Sequence, residues 1–325
     1  MPVVTSHYQA PLLFKNGHIA TIYSGLFRKV NAIQSERERL LLPDGDFIDL
    51  DWSFSSATAN RLVILLHGLE GDADRPYMLG SARLFNANNY DVVRVNFRGC
   101  SGEPNSKYRS YHSGATDDLN DIILWILETK KYDELYIKGF SLGGNIALKY
   151  LGEGNEIPKE IKAAMAVSVP CSLGGSCTEL HTLKNRLYHD RFKKHLIAKL
   201  KQKYEQFPSM VTRDQIKSIR TLKDFDDVYT SKAHGFKDAD DYYKQCSSLQ
   251  FLHNIKVPSL ILNAKNDSFL SDDCYPENKA AENSKLYLEI PTSGGHVGFY
   301  QSNNLYYNEK RSLNFFEEKG HSNFS

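Results

Sequence analysis

Paired cysteines, an excess of charge and long apolar runs are all missing from this chain. Its five cysteines, Cys100, Cys171, Cys177, Cys246 and Cys274, include no C-x-x-C pair. An odd count without a secretory signal reads as reduced thiols, which excludes a disulfide framework and leads us to expect a cytoplasmic protein. The spacing of Cys171 and Cys177 is wrong for zinc. Forty lysines and arginines stand against thirty-nine acids, a formal net charge of +1. That balance argues against bulk nucleic-acid binding. The longest strand-like apolar run, Leu62 to Leu66, is far too short to cross a bilayer. Residues 1–7 lack a basic stretch followed by an apolar core, so no stable membrane insertion is expected. No G-x-G-x-x-G opens a helix, and no glycine-rich stretch ends in the Lys-Ser/Thr of a phosphate loop. Asp238 to Asp241 holds three carboxylates without the ligand spacing of a calcium loop. No metal, nucleotide or organic cofactor is therefore expected.

The rest of the chain is rich in alternating strand and helix signals. Its 325 residues, 41% of them hydrophobic, suit one large α/β domain carrying an insertion. Arg61 to Leu66, Tyr90 to Phe97, Glu134 to Lys138 and Ile161 to Val169 read as strands, with helical stretches between them. That alternation predicts a parallel sheet with right-handed crossovers. Arg39 to Leu42 and Phe47 to Trp52 read as two further strands joined by a turn. Strand pattern stops from Cys171 to about Asn254, and Leu183 to Phe207 is helical. Residues 171–254 are thus expected to form a helical cap. Residues 1–170 and 255–325 would form the core, with 1–35 as an arm packed on it. Strands resume at Val257 to Leu262 and Lys285 to Ile290, and Leu305 to Glu318 closes the chain as a helix.

The chemistry centres on Gly139-Phe140-Ser141-Leu142-Gly143. This G-x-S-x-G lies between a strand-like run and a helical one, the context of a nucleophile elbow. A serine hydroxyl needs a base within reach, and the base needs an orienting carboxylate. In this architecture they follow the serine in the order acid, then histidine. Asp267 ends the strand resumed at Val257, and His296 follows the last strand, between Gly295 and Val297 in Gly294-Gly295-His296-Val297-Gly298. Ser141, Asp267 and His296 are the predicted catalytic residues. An oxyanion needs backbone N–H donors in place beforehand. Leu142 and Leu69 are expected to supply them, Leu69 from the loop opened by His67-Gly68. Arg186, Arg191, Lys193, Lys194, Lys199, Lys201 and Lys203 read as a solvated basic face rather than a contact for anionic lipid or an acyl-CoA phosphate. Asp117-Asp118 reads as a helix start.

Several stretches resemble the YheT-like branch of the α/β-hydrolases. They are His67-Gly68-Leu69-Glu70-Gly71, Asn96 to Asn105 (Asn-Phe-Arg-Gly-Cys-Ser-Gly-Glu-Pro-Asn), Gly139 to Asn145, Asn263 to Asp267 and Gly294 to Phe299. Phe14-Lys15-Asn16-Gly17-His18 and His234 to Asp238 join them, so the likeness runs over nearly the whole chain. The resemblance implies a mostly parallel eight-stranded hydrolase sheet flanked by helices, with a helical cap insertion. It implies a triad at Ser141, Asp267 and His296. Asn266-Asp267-Ser268 stands where relatives often show Asp-Asp-Pro, with the last aspartate kept. The expected activity is that of a serine carboxylesterase acting through an acyl-enzyme on short- to medium-chain or lipid-like esters, a small-molecule substrate. Acyl transfer to an alcohol, thioester hydrolysis and a non-catalytic ligand-binding fold are the alternatives.

Overall fold

The computed structural model describes residues 3–320. Its strands are β1 (Val3–Val4), β2 (Glu36–Leu41), β3 (Phe47–Ser53), β4 (Arg61–Leu66), β5 (Asp91–Asn96), β6 (Glu134–Phe140), β7 (Ile161–Val167), β8 (Ser259–Leu262) and β9 (Leu286–Glu289). They form one nine-stranded sheet in the order β1-β9-β8-β7-β6-β4-β5-β3-β2. Only the β2–β3 and β3–β5 pairs are antiparallel. Eight strands were expected. The ninth is β1, whose Val3 and Val4 pair in parallel with Leu288 and Glu289 on β9. Two residues carry no periodicity, so nothing local marks this edge strand.

Helices cover both faces. In chain order they are α1 (Gly17–Ile22), α2 (Pro76–Asn86), α3 (Thr116–Thr129), α4 (Leu142–Gly152), α5 (Leu173–Leu180), α6 (Arg186–Gln206), α7 (Arg213–Ser218), α8 (Leu222–Phe225), α9 (Ser231–His234), α10 (Ala239–Cys246), α11 (Glu277–Glu282) and α12 (Tyr307–Gly320). Strand β4 shows why its apolar run is unbroken. Leu62, Ile64 and Leu66 pack with Ile122, Ile123 and Ile126 of α3 and Ile146 of α4 on one face. Val63 and Leu65 pack with Met78, Ala82 and Phe85 of α2 and Phe315 and Phe316 of α12 on the other. A parallel strand buried on both faces has no side left to be polar.

Between β7 and β8 the described chain is helical, from α5 to α10. On the long helix Leu200 is buried and Leu196 and Tyr204 pack beside it, against Val211, Ile216, Ile219, Phe225 and Tyr229. The helix opens with a 3₁₀ turn, Leu183–Asn185. Asp118 does more than start α3. Its carboxylate accepts 2.8 and 2.6 Å hydrogen bonds from the buried Arg98, which also pairs with Asp44 and Asp46. That cluster pins the loop after β5. The loops after β4, β5, β6, β8 and β9 all leave one edge of the sheet, where parallel strands end together.

Candidate active site

Strand β6 and helix α4 meet at Ser141, whose backbone sits at φ 51°, ψ −117°. A positive φ on a residue with a Cβ is costly. The turn holds because its neighbours are over-determined. A Cβ on Gly139 would lie 2.3 Å from the Gly143 carbonyl oxygen, and one on Gly143 would lie 2.5 Å from that of Leu66. The Ser141 N–H donates to the Val167 carbonyl at 2.9 Å. All eleven residues of α4 are buried, which leaves the turn no freedom to relax.

Asp267 and His296 are joined directly. His296 Nδ1 lies 2.8 Å from Asp267 Oδ2, and the carboxylate is buried. An ionised carboxylate only accepts, so Nδ1 is the donor of this bond, and in a neutral imidazole Nε2 is then the acceptor. The second oxygen, Oδ1, accepts from the Phe269 N–H at 3.0 Å. The Phe269 ring lies on the imidazole, 4.3 Å between centroids. The histidine loop is clamped by the N-terminal arm. Thr21 Oγ1 accepts from the His296 N–H at 2.8 Å and donates to the Gly17 carbonyl at 2.7 Å. Asn266 accepts from the Gly295 N–H and donates to the Lys15 carbonyl, each at 2.9 Å. Ser141 and His296 line the same cavity, and no hydrogen bond joins their side chains among the described residues. A serine–histidine contact that tightens only with substrate in place is common in unliganded sites.

The loop after β4 runs past the serine: a Cβ on Gly68 would meet that of Ser141 at 3.2 Å. Leu69 and Leu142 both face the cavity. Leu142 begins α4, where a backbone N–H has no partner within the helix. His67 shapes the loop from below. Its Nδ1 lies 2.7 Å from the Gly68 carbonyl, and its Nε2 accepts from the Phe97 N–H at 3.2 Å. Complete burial pushes its pKa down to about 3, so it stays neutral. Glu70 follows Leu69 with φ 54°. The Tyr111 hydroxyl accepts from the Glu70 N–H at 2.9 Å and donates to Glu70 Oε1 at 2.6 Å. Lys199 of α6 reaches the same oxygen at 3.0 Å, and Arg75 donates to the Glu70 carbonyl at 2.6 Å.

The cavity over Ser141 has a volume of about 500 Å³. Apolar side chains dominate its wall: Leu173 and Leu180 of α5, Leu187, Phe192 and Leu196 of α6, and Phe225 of α8. The basic row on α6 is not wholly solvated as expected. Lys199 is paired to Glu70, and Lys203 is buried, with Nζ on the carbonyls of Asn105 (2.8 Å) and Lys107 (2.5 Å). Sequence reasoning missed Thr21, Phe269, Tyr111 and Lys199 as parts of the site. Only the stretch Phe14 to His18, met through resemblance, hinted that the arm belongs here.

The doubly covered, mostly parallel sheet, with a strained serine between β6 and α4, is that of an α/β-hydrolase. Residues 61–302 match the alpha/beta hydrolase fold family, and the chain belongs to it. It is an enzyme of the esterase and lipase type. Within that family it falls in the YheT-like branch. It is 37% identical over 292 residues to “Putative esterase YheT” of Escherichia coli (strain K12), covering 88% of this chain and 85% of that protein. Phospholipase ABHD3 of Homo sapiens is 27% identical over 92% of this chain and 75% of its own length. Monoacylglycerol lipase of Saccharomyces cerevisiae is 28% identical over 77% of this chain and 57% of its own length. Among solved structures, the Pyrococcus furiosus esterase Pf2001 shares the fold with a TM-score of 0.58, at 17% identity, covering 88% of this chain and 93% of that one. No helix among the described residues is long and apolar enough to cross a membrane.

Proposed function

We propose that this chain is a serine carboxylic-ester hydrolase working through an acyl-enzyme. The observation that carries the reading is the strained Ser141 facing the same apolar cavity as a histidine already bonded to Asp267. In this reading Ser141 Oγ attacks the ester carbonyl while His296 Nε2 takes its proton. Asp267 holds the imidazole in that tautomer and steadies the imidazolium. The oxyanion is met by the N–H groups of Leu142 and Leu69, fixed before the reaction begins. His296 then returns the proton to the leaving alkoxide. Water, deprotonated by the same nitrogen, releases the acid.

The substrate class follows from the wall. A cavity of about 500 Å³ falls within the span of small-molecule sites, and its apolar lining favours an acyl chain over a polar group. We assign it to medium-chain or lipid-like esters. The names of relatives, an esterase, a phospholipase and a monoacylglycerol lipase, are all of ester-cleaving enzymes. Residues 171–254 act as the cap that closes this cavity over a core made of 1–170 and 255–325. The test is hydrolysis of p-nitrophenyl esters from acetyl to palmitoyl, with wild type and Ser141→Ala side by side. Turnover peaking at intermediate length and lost in the variant supports the proposal. Equal turnover by Ser141→Ala refutes it.

A further inference from the structure

The net charge of +1 hides a marked asymmetry. Residues 1–35 hold no acid, and their exposed cations are Lys15 and Lys29, since Arg28 is buried and paired with Glu309. Residues 183–204 hold eight lysines and arginines against Asp190 alone, and six of them remain on the outer side once Lys199 and Lys203 turn inward to Glu70 and the carbonyls of Asn105 and Lys107. These two basic segments meet at the cavity. Ile22 and Leu26 of the arm and Leu187 and Arg191 of α6 line it together, and His18 Nδ1 lies 3.2 Å from the Tyr188 hydroxyl.

Large apolar side chains stand in solvent at this junction. Leu26 is 54% exposed and its neighbour Phe27 63%. Leu187 is 81% exposed, and Leu183, one turn earlier, 88%. Single exposed leucines are ordinary, but a group of them at the rim of an apolar cavity marks a contact surface. Cations sit among them. Arg191 is exposed and makes no hydrogen bond or ion pair among the described residues. Arg186 meets Asp190 only at 3.7 Å, and Lys184 pairs with Glu179 while half exposed.

The basic row alone reads as a solvated face; its continuity with the apolar rim changes that. A nucleic-acid backbone offers the rim nothing apolar. A second copy docked symmetrically would press two basic surfaces together. An anionic bilayer satisfies both features, with acyl chains for the leucines and phenylalanine and headgroup phosphates for the cations. We propose that the face formed by the arm and the first half of α6 docks on an anionic lipid surface, with the cavity mouth turned towards it. The cations add attraction at the headgroups, and the rim enters the boundary beneath them. This docking is separate from the ester-hydrolase reading, because binding is read without turnover.

The experiment is co-sedimentation of the full chain with phosphatidylcholine vesicles, with and without phosphatidylserine. Phe27→Asp and Leu183→Asp are compared with Leu124→Asp, a half-exposed leucine on α3 away from this face. Neither Phe27 nor Leu183 lines the cavity, so turnover of a soluble ester should hold in both and report intact folding. Binding that needs phosphatidylserine, weakens with added salt, and drops at least about tenfold in the two rim variants but not in Leu124→Asp supports the proposal. Wild type that stays in the supernatant with both vesicles overturns it. So does equal loss in Leu124→Asp, or a wild-type dimer that Phe27→Asp splits. Ser141→Ala binds like wild type if docking and catalysis are distinct.

Discussion

Replacing Ser141 by glycine should make this protein more stable while destroying its activity. The residue sits at φ 51°, ψ −117°, outside the regions open to a residue with a Cβ. Holding such a conformation costs about 1–3 kcal/mol. Glycine removes that cost and brings its own, about 0.5–1 kcal/mol of extra unfolded-chain entropy. The balance favours the folded state by roughly 0.5–2 kcal/mol. Alanine is the control, because it deletes the hydroxyl and keeps the Cβ, so its backbone strain is unchanged. The comparison of interest is therefore Ser141→Gly against Ser141→Ala rather than against wild type. Urea unfolding followed by tryptophan fluorescence would read it, with equal m-values confirming that both variants unfold the same surface. The glycine variant should show the higher midpoint and a melting temperature raised by about 1–2 °C per kcal/mol gained. A glycine midpoint equal to or below that of alanine would mean that the elbow stores no strain at this residue. The order imposed by Gly139, Gly143 and α4 would then hold the turn at no energetic cost.

Four further outcomes follow from the same geometry. Asp267→Asn should lower kcat by on the order of 10⁴ with unchanged unfolding, because the amide stabilises the wrong imidazole tautomer; a pH–rate profile with the wild-type plateau would contradict it. Gly143→Ala places a Cβ 2.5 Å from the Leu66 carbonyl oxygen and 2.6 Å from that of His67, so soluble yield should fall and the unfolding free energy read by urea titration should drop by about 3 kcal/mol or more. Lys199→Met removes the 3.0 Å contact to Glu70 and should reduce kcat about tenfold with little change in KM; the same loss in Glu70→Gln, not additive in the double variant, would place both in one positioning network. His67 has a folded pKa of about 3, below its ordinary 6.5. The unfolded chain therefore takes up a proton first as pH falls, and stability is lost below pH 6.5 at up to about 1.4 kcal/mol per pH unit. His67→Gln should flatten that part of the wild-type pH profile, measured by urea midpoints at pH 7 and 5.

How much of this was legible in the sequence depended on whether a feature is local. Strands β4 to β8 announce themselves because burial on both faces leaves largely apolar runs, interrupted where a buried cation such as Arg94 or Lys138 finds partners. Ser141, Asp267 and His296 stand out because each lies at a strand end marked by glycine or turn residues, in one order. The N-terminal arm gave no such sign. Thr21 matters only because Gly17 and His296, 279 residues apart in the numbering, arrive on either side of its hydroxyl. The lysines of α6 are the sharper case. By spacing they form one basic face, and a face of seven cations reads as solvated. Lys199 and Lys203 leave that face because acceptors come to them from elsewhere: Glu70 from the loop after β4, and the carbonyls of Asn105 and Lys107 from the loop after β5. What remains of the row, Arg186, Arg191 and their neighbours, faces outward beside exposed leucines. One helix thus carries two kinds of lysine and arginine, distinguished by partners remote in sequence. Of the inner pair, Lys199 holds the loop after β4 beside Ser141 and Lys203 the loop after β5, while the outer cations face solvent. A helix that braces the loop after β4 on one side and meets a surface on the other would pass contact at that surface to the loop through Glu70. The Lys199→Met variant probes the inner half of that chain, and Leu183→Asp the outer.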